Sequence, residues 1–160
     1  MEAVSLIVGP QDVQIRIRQR LTGLNREARG VVWQLGGHSV LIHTESLQAR
    51  FLRGWLLVSL FLETNQTGRC LLEFVFFLGA AQDGDGNTAA ARINAASRAA
   101  TQLAEIWGDD LQRVIWDAVL DVMEASLSRV RHQYGNQPMT LRGFQVSPEG
   151  LQVSVIAGEL

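Results

Sequence analysis

The amino-acid sequence predicts an α+β fold, a predominantly antiparallel sheet of about six to eight strands with two consecutive helices packed on it. Short apolar or alternating segments, separated by turn residues, occupy the first half of the chain and its C-terminal end. Between them, after a loop at 82–87, the apolar residues recur at steps of three and four, the spacing of helices. Because the 160 residues contain no linker-like or repetitive stretch, we expect a single α+β domain, 1–160.

Residues 10–22 fit two structures, of which we prefer the strand. Over 13–18, β-branched residues alternate with polar ones at the two-residue period of a strand, and the preceding Gly-Pro sequence suits a hairpin turn. A helix is the alternative, because three apolar residues also recur at steps of four. These residues are Val13, Ile17 and Leu21.

The segments that follow predict the middle of the sheet. Residues 45–52 alternate as a strand does, although Leu47 and Phe51 lie four apart and leave a short helix open. The next two segments, 55–62 and 71–78, are apolar at nearly every position. Strands of that kind are covered on both faces, so we expect this pair at the centre of the sheet.

The second half of the chain predicts two helices and a hairpin. The first helix is expected over 88–107, where many alanines favour helix, and Gly108 is expected to end it. Asp109 is a suitable N-cap for a second helix over 109–134. The chain then closes with a β-hairpin over 139–156, whose turn contains proline and glycine.

The charge composition is unusual because the chain is lysine-free, and all 14 of its basic residues are arginine. The formal net charge of −2 provides no general attraction for nucleic acids or membranes. The sequence shows neither the pattern of a signal peptide nor the ~18 consecutive apolar residues of a membrane helix. We therefore expect a cytoplasmic protein that does not bind a membrane.

We find no catalytic, cofactor-binding or metal-binding constellation in the sequence. Asp83, Asp85 and Asn87 match the first ligands of a calcium loop, but the glycine and the terminal glutamate of that loop are missing. His38 and His43 differ in parity, so on a regular strand they point to opposite faces and do not share a zinc ion. We therefore predict a protein that is not an enzyme and that needs no cofactor or metal.

Three arginines form the most informative polar feature. Arg16, Arg18 and Arg20 share one parity and would lie on one face of a strand. Cations in that arrangement repel each other unless carboxylates or an anionic partner neutralise them. We favour acidic residues of a neighbouring element as the neutralising groups. The alternative is a contact with nucleic-acid phosphates or with an acidic protein surface.

The excess of apolar strand predicts a contact surface, which we expect around Trp55, Phe74 and Phe76 and around the arginines. The leading hypothesis is a non-enzymatic protein–protein interaction module, either a homo-oligomer or a small subunit of a larger assembly. The second hypothesis is a carrier or sensor that holds an apolar small molecule between sheet and helices. The third is a nucleic-acid-contacting subunit that uses the three arginines.

Overall fold

The computed structural model describes residues 3–23, 28–78 and 89–158, of which 89 and 90 are described by their backbone alone. In these ranges the chain forms two helices and eight strands. The helices are Pro10–Thr22 (α1) and Arg98–Gln133 (α2). The strands are Ala3–Val8 (β1), Val31–Leu35 (β2), His38–Leu52 (β3), Trp55–Thr64 (β4), Gly68–Leu78 (β5), Ala89–Ala95 (β6), Met139–Ser147 (β7) and Gly150–Ala157 (β8).

The segment predicted as a strand over 13–18 is instead part of helix α1, so the preferred prediction was wrong and the helix alternative is confirmed. Proline at the first turn, Asp12 near the N-terminus and a left-handed Gly23 at the C-cap are all favourable helix-end signals. The residues spaced by four, Val13, Ile17 and Leu21, are buried, whereas Ile15 between them is exposed. Burial of one helical face therefore outweighs the local β-propensity.

The larger sheet has five strands in the order β2-β3-β4-β5-β6, all antiparallel, and is called the large sheet below. Strand β4 is its middle strand and pairs with β5 over its whole length, as the two apolar segments predicted. Residues 45–52 belong to β3, which confirms the strand there. The pairing of β3 with β4 shifts register between His43 and Gln48, where β3 bulges and residues 44–47 lie opposite the single Leu60 of β4.

Helix α2 begins later than predicted, because the chain first adds an edge strand to the large sheet. Residues 89–95 form β6 and pair with β5, although their alanines favour a helix. The helix begins after Ser97, whose hydroxyl accepts a hydrogen bond from the Ala100 backbone N–H. The prediction of a helix over 88–107 was therefore wrong for its first half.

The predicted break at Gly108 is also absent, and α2 runs through it without interruption. Gly108 is buried where the helix approaches strand β6, and a Cβ added there would lie 2.5 Å from Cδ1 of Ile93. The glycine is thus a point of close packing between helix and sheet, and the predicted helices 88–107 and 109–134 are replaced by one.

The remaining strands form a separate, three-stranded antiparallel sheet in the order β1-β8-β7, called the small sheet. It contains the C-terminal hairpin, which confirms that prediction. Its turn requires Gly150, whose φ is 145° and whose added Cβ would lie against the carbonyl oxygen of Val8. The Gly54 N–H donates to Val146 O at 3.1 Å and joins the two sheets.

One hydrophobic core lies between the helices and the inner faces of both sheets. Helix α1 packs against α2 and β3, and α2 packs also against β5, β6 and β1. The α+β class and the antiparallel sheets are thereby confirmed, with the strands divided between two sheets. Among the residues that the structure describes, no helix combines the length and the apolar character needed to cross a membrane.

Candidate interaction surface

The large sheet has one face toward the helices and one face that no described helix or strand covers, here called the outer face. Alternation along β4 defines both faces, because successive side chains of a strand point to opposite sides. The even-numbered residues of β4 from Leu56 to Leu62 are buried, whereas its odd-numbered residues are only partly buried. The outer face therefore begins with Trp55 and continues at every second residue.

The strand register arranges the outer face in five rows that run across the sheet. In order from the β3–β4 turn, the rows are Leu52–Trp55–Phe77, Arg50–Leu57–Val75–Arg92, Gln48–Ser59–Glu73–Asn94, His43–Phe61–Leu71 and Val32–Leu41–Glu63–Arg69. The first and fourth rows are mainly apolar and are called the first and second apolar rows. The two rows between them mix polar, charged and aliphatic side chains.

Both apolar rows leave substantial hydrophobic surface in solvent. In the first row the rings of Trp55 and Phe77 pack with centroids 4.7 Å apart, yet Phe77 is 37% exposed and Leu52 is 39% exposed. In the second apolar row Leu71 is 37% exposed, and the Arg69 guanidinium lies 4.6 Å from the ring centroid of Phe61. Exposed aromatic and aliphatic side chains grouped in rows on one face are typical of a site that binds another molecule.

The small sheet provides an internal comparison, because the face of it that points away from the core is mainly polar. Ser5 and Ser154 lie opposite each other on this face, and the Gln152 side-chain amide donates to the Ser5 hydroxyl at 3.1 Å. Ile7 is an exposed apolar residue on the same face, and it is paired with Gln152. A solvated antiparallel face is expected to be polar in this way, so the apolar outer face of the large sheet is a distinct feature.

The structure separates the three aromatic residues that the sequence placed in one contact surface. Trp55 lies on the outer face, but Phe74 and Phe76 point to the inner face and are 0% and 2% exposed. Phe76 stacks there on Trp116 of α2, with ring centroids 5.6 Å apart. Sequence reasoning missed Phe77 as a surface residue, although its parity opposite to Phe76 carried that information.

The arginines are also divided, because a helix turns residues two positions apart to different sides. Arg16 and Arg20 are four residues apart and reach the same carboxylate, Asp121 of α2. The Arg16 Nε–Asp121 Oδ2 distance is 2.7 Å, and Arg20 Nη2 donates to Asp121 Oδ1 at 2.9 Å. The hydrogen bond from Arg20, followed by that from Arg16, lowers the pKa of Asp121 to about 2.

Arg18 points to the other side of α1 and holds the bulge of β3. Its Nε donates to Thr44 O at 2.9 Å, and its Nη2 donates to the carbonyl oxygens of Glu45 and Leu47, each at 3.3 Å. The Gln14 side-chain oxygen accepts from the Ala49 N–H at 3.0 Å on the same strand. Helix α1 thus provides hydrogen-bond partners for backbone groups of β3 at and beside the bulge.

Nothing in the described residues supplies a set of three or more histidine, cysteine, aspartate or glutamate side chains placed to hold a metal ion. The calcium-like residues Asp83, Asp85 and Asn87 lie outside the described ranges. His43 approaches Glu63 at 3.5 Å on the outer face, where both belong to the sheet surface rather than to a cleft.

Comparison with protein-family models, with curated proteins and with solved structures finds no match for this chain. The outer face and the charges around it are therefore the features that bear on function. The outer face of the large sheet can be compared with the polar face of the small sheet, because both sheets are antiparallel.

Proposed function

We propose that this protein is a non-enzymatic protein–protein interaction module, a homo-oligomer or a small subunit of a larger assembly, which binds its partner through the outer face of the large sheet. The observation that supports this proposal is the pair of apolar rows left uncovered by the described residues. Leu52, Phe77 and Leu71 are each more than a third exposed, and Trp55 and Phe61 extend the same surface.

Burial of this surface would provide a large part of a binding energy. A fully buried large apolar side chain contributes ~1.5–3 kcal/mol relative to its exposed state. Because no more than about two-fifths of each of the five side chains is exposed, their burial amounts to roughly 2–5 kcal/mol before the costs of association. Polar contacts around the apolar rows would supply the remaining binding energy, as they do at the rim of protein interfaces.

The proposal is tested by substituting one residue in each sheet and measuring the mass of the native complex. Phe77→Arg places a charge in the first apolar row, and Ile7→Arg places the same charge on the outer side of the small sheet. We expect wild type and Ile7→Arg, purified from cells of the source organism, to run in an assembly heavier than the 17.7 kDa chain. We expect Phe77→Arg to run as the single chain.

Native mass spectrometry gives the masses, and circular dichroism verifies that both variants keep the wild-type helix content. A wild-type protein found only at 17.7 kDa would overturn the proposal. An assembly that survives Phe77→Arg unchanged would overturn it as well, because the outer face would then carry no contact. Loss of the assembly in Ile7→Arg but not in Phe77→Arg would assign the contact to the small sheet instead.

The carrier and nucleic-acid hypotheses remain predictions with less support. The inner faces of the sheets pack directly on the helices in one core, where Phe74, Ile115 and Leu111 are fully buried. The charges of Arg16 and Arg20 are compensated by Asp121 and Asp117, which reduces the positive charge that phosphates would meet.

A further inference from the structure

We infer that the outer face binds a second copy of this chain, stacked face to face about a two-fold axis that runs across the strands. The inference rests on the proposed function and names its partner. An isologous interface requires a surface that is complementary to itself after a half-turn. The order of the rows on the outer face and the positions of its charges meet that requirement.

The two apolar rows lie symmetrically about a line between the second and third rows of the face. Along β4 they are represented by Trp55 and Phe61, which are six residues or about 20 Å apart, with Leu57 and Ser59 between them. A two-fold axis midway between Leu57 and Ser59 places the first apolar row of one copy on the second apolar row of the other. Trp55 of each copy then meets Phe61 of the other, at the ~10 Å spacing of packed sheets.

The same axis also pairs opposite charges. Arg92 of the second copy would lie above Asn94 of the first, one strand away from Glu73, within reach of a long side chain. In the part of the chain that the structure describes, neither Glu73 nor Arg92 takes part in an ion pair. An axis parallel to the strands, midway between β4 and β5, would instead place Arg50 over Arg92 of the second copy, where like charges repel.

The axis determines how much of the two outer faces overlaps. Placed midway between Leu57 and Ser59, it superposes residues 55–61 of β4 in the two copies, a length of about 23 Å. Strands β3, β4, β5 and β6 lie in this region, and four strands at about 4.8 Å span about 19 Å. The overlap of roughly 440 Å² on each copy corresponds to a small interface and to a dimer that forms in a concentration-dependent way.

Charge reversal in both directions tests the partner and the axis together. The purified full chain is compared with Glu73→Arg, with Arg92→Glu and with the variant that carries both substitutions, by analytical ultracentrifugation over a concentration series. We expect each single reversal to raise the dimer dissociation constant by about tenfold or more, because like charges then face each other. We expect the double reversal to restore most of the wild-type affinity.

Glu149→Arg, in the exposed turn of the C-terminal hairpin, is the matched control and should leave the dissociation constant unchanged. A wild-type protein that stays monomeric up to about 100 µM, weaker than specific dimers of this size, would overturn the inference. If Phe77→Arg still dissolves the native assembly in that case, the proposed function stands with a different protein as partner. Dimers in which the double reversal restores nothing would refute the proposed axis.

Discussion

Replacing Arg18 with alanine should markedly lower the free energy of unfolding, although the residue is only half-buried on a short helix. Its guanidinium donates three hydrogen bonds to carbonyl oxygens of the β3 bulge, those of Thr44, Glu45 and Leu47. These carbonyls lie where the ladder between β3 and β4 is interrupted. In the alanine variant these carbonyl oxygens would lose their donor, and only water that enters a partly buried site could replace it.

The magnitude follows from the geometry of the three bonds. The bond to Thr44 O is 2.9 Å long, while those to Glu45 O and Leu47 O are 3.3 Å and share one nitrogen. A hydrogen bond to a charged donor contributes ~1.5–3 kcal/mol, and the two longer bonds contribute less. We therefore expect a loss of about 2–3 kcal/mol, which lowers the melting temperature of a chain of this size by roughly 5–10 °C.

Urea and thermal unfolding followed by circular dichroism measure this loss, and Arg18→Lys separates charge from geometry. Lysine keeps the charge but lacks the planar fork, so it should recover about half of the stability. Arg142→Ala, an exposed arginine of β7, is the control and should change the free energy of unfolding by less than about 0.5 kcal/mol. If Arg18→Ala unfolds like Arg142→Ala, the bulge does not depend on Arg18.

Two further predictions concern the contacts of helix α2. Glycine-to-alanine substitution inside a helix normally stabilises it by ~1 kcal/mol, but at Gly108 the new Cβ would lie 2.5 Å from Ile93 Cδ1. Gly108→Ala should therefore not raise the free energy of unfolding in the wild-type background, but it should raise it in the Ile93→Val background, where that atom is missing. Urea unfolding measures both effects, and equal effects in the two backgrounds would contradict this packing. Acid should weaken the ion pairs of Asp121 with Arg16 and Arg20, because the pKa of Asp121 is about 2 when folded and 3.8 when unpaired. Its stabilisation is complete above about pH 5 and is lost as the pH falls through about 2, and solvent screening limits it to ~1 kcal/mol. Asp121→Asn should thus be less stable than wild type at pH 7, and the difference should shrink below pH 4 and approach zero below pH 2. A difference that does not change with pH would refute the assignment.

The sequence predicted the strongly patterned elements and failed where two patterns competed. The central strands and the C-terminal hairpin follow from long apolar runs and from turn residues, which act locally. Helix α1 fits both periods, and only its burial against α2 and β3 decides for the helix. At Gly108 the residue type that ends many helices serves a close contact with β6, which no local pattern reveals.

The candidate surface could be predicted only in part, because the pairing of the strands decides which side chains share a face, and the sequence pattern does not specify that pairing. A one-residue difference in parity separates Phe77 on the outer face from Phe76 in the core, so the surface needs the pairing of β4 and β5. Trp55 was proposed from its position in an apolar strand, and the parity of β4 places it on the outer face. The pairing itself joins residues through long-range contacts that a pattern along the chain does not specify.

The bulge in β3, which Arg18 holds by hydrogen bonds, determines which side chains of that strand lie on the outer face. Before the bulge the even-numbered Ile42 is buried, and after it the odd-numbered Leu47 and Phe51 are buried, so the bulge reverses the parity of the strand. Without that reversal, Phe51 would point to the outer face and Arg50 into the core. By holding the bulge, Arg18 keeps Arg50 on the surface beside the first apolar row. Arg18, which the sequence suggested as a contact residue, thus acts on the proposed interface indirectly. Its hydrogen bonds to the bulge determine which side chains of β3 lie on the outer face.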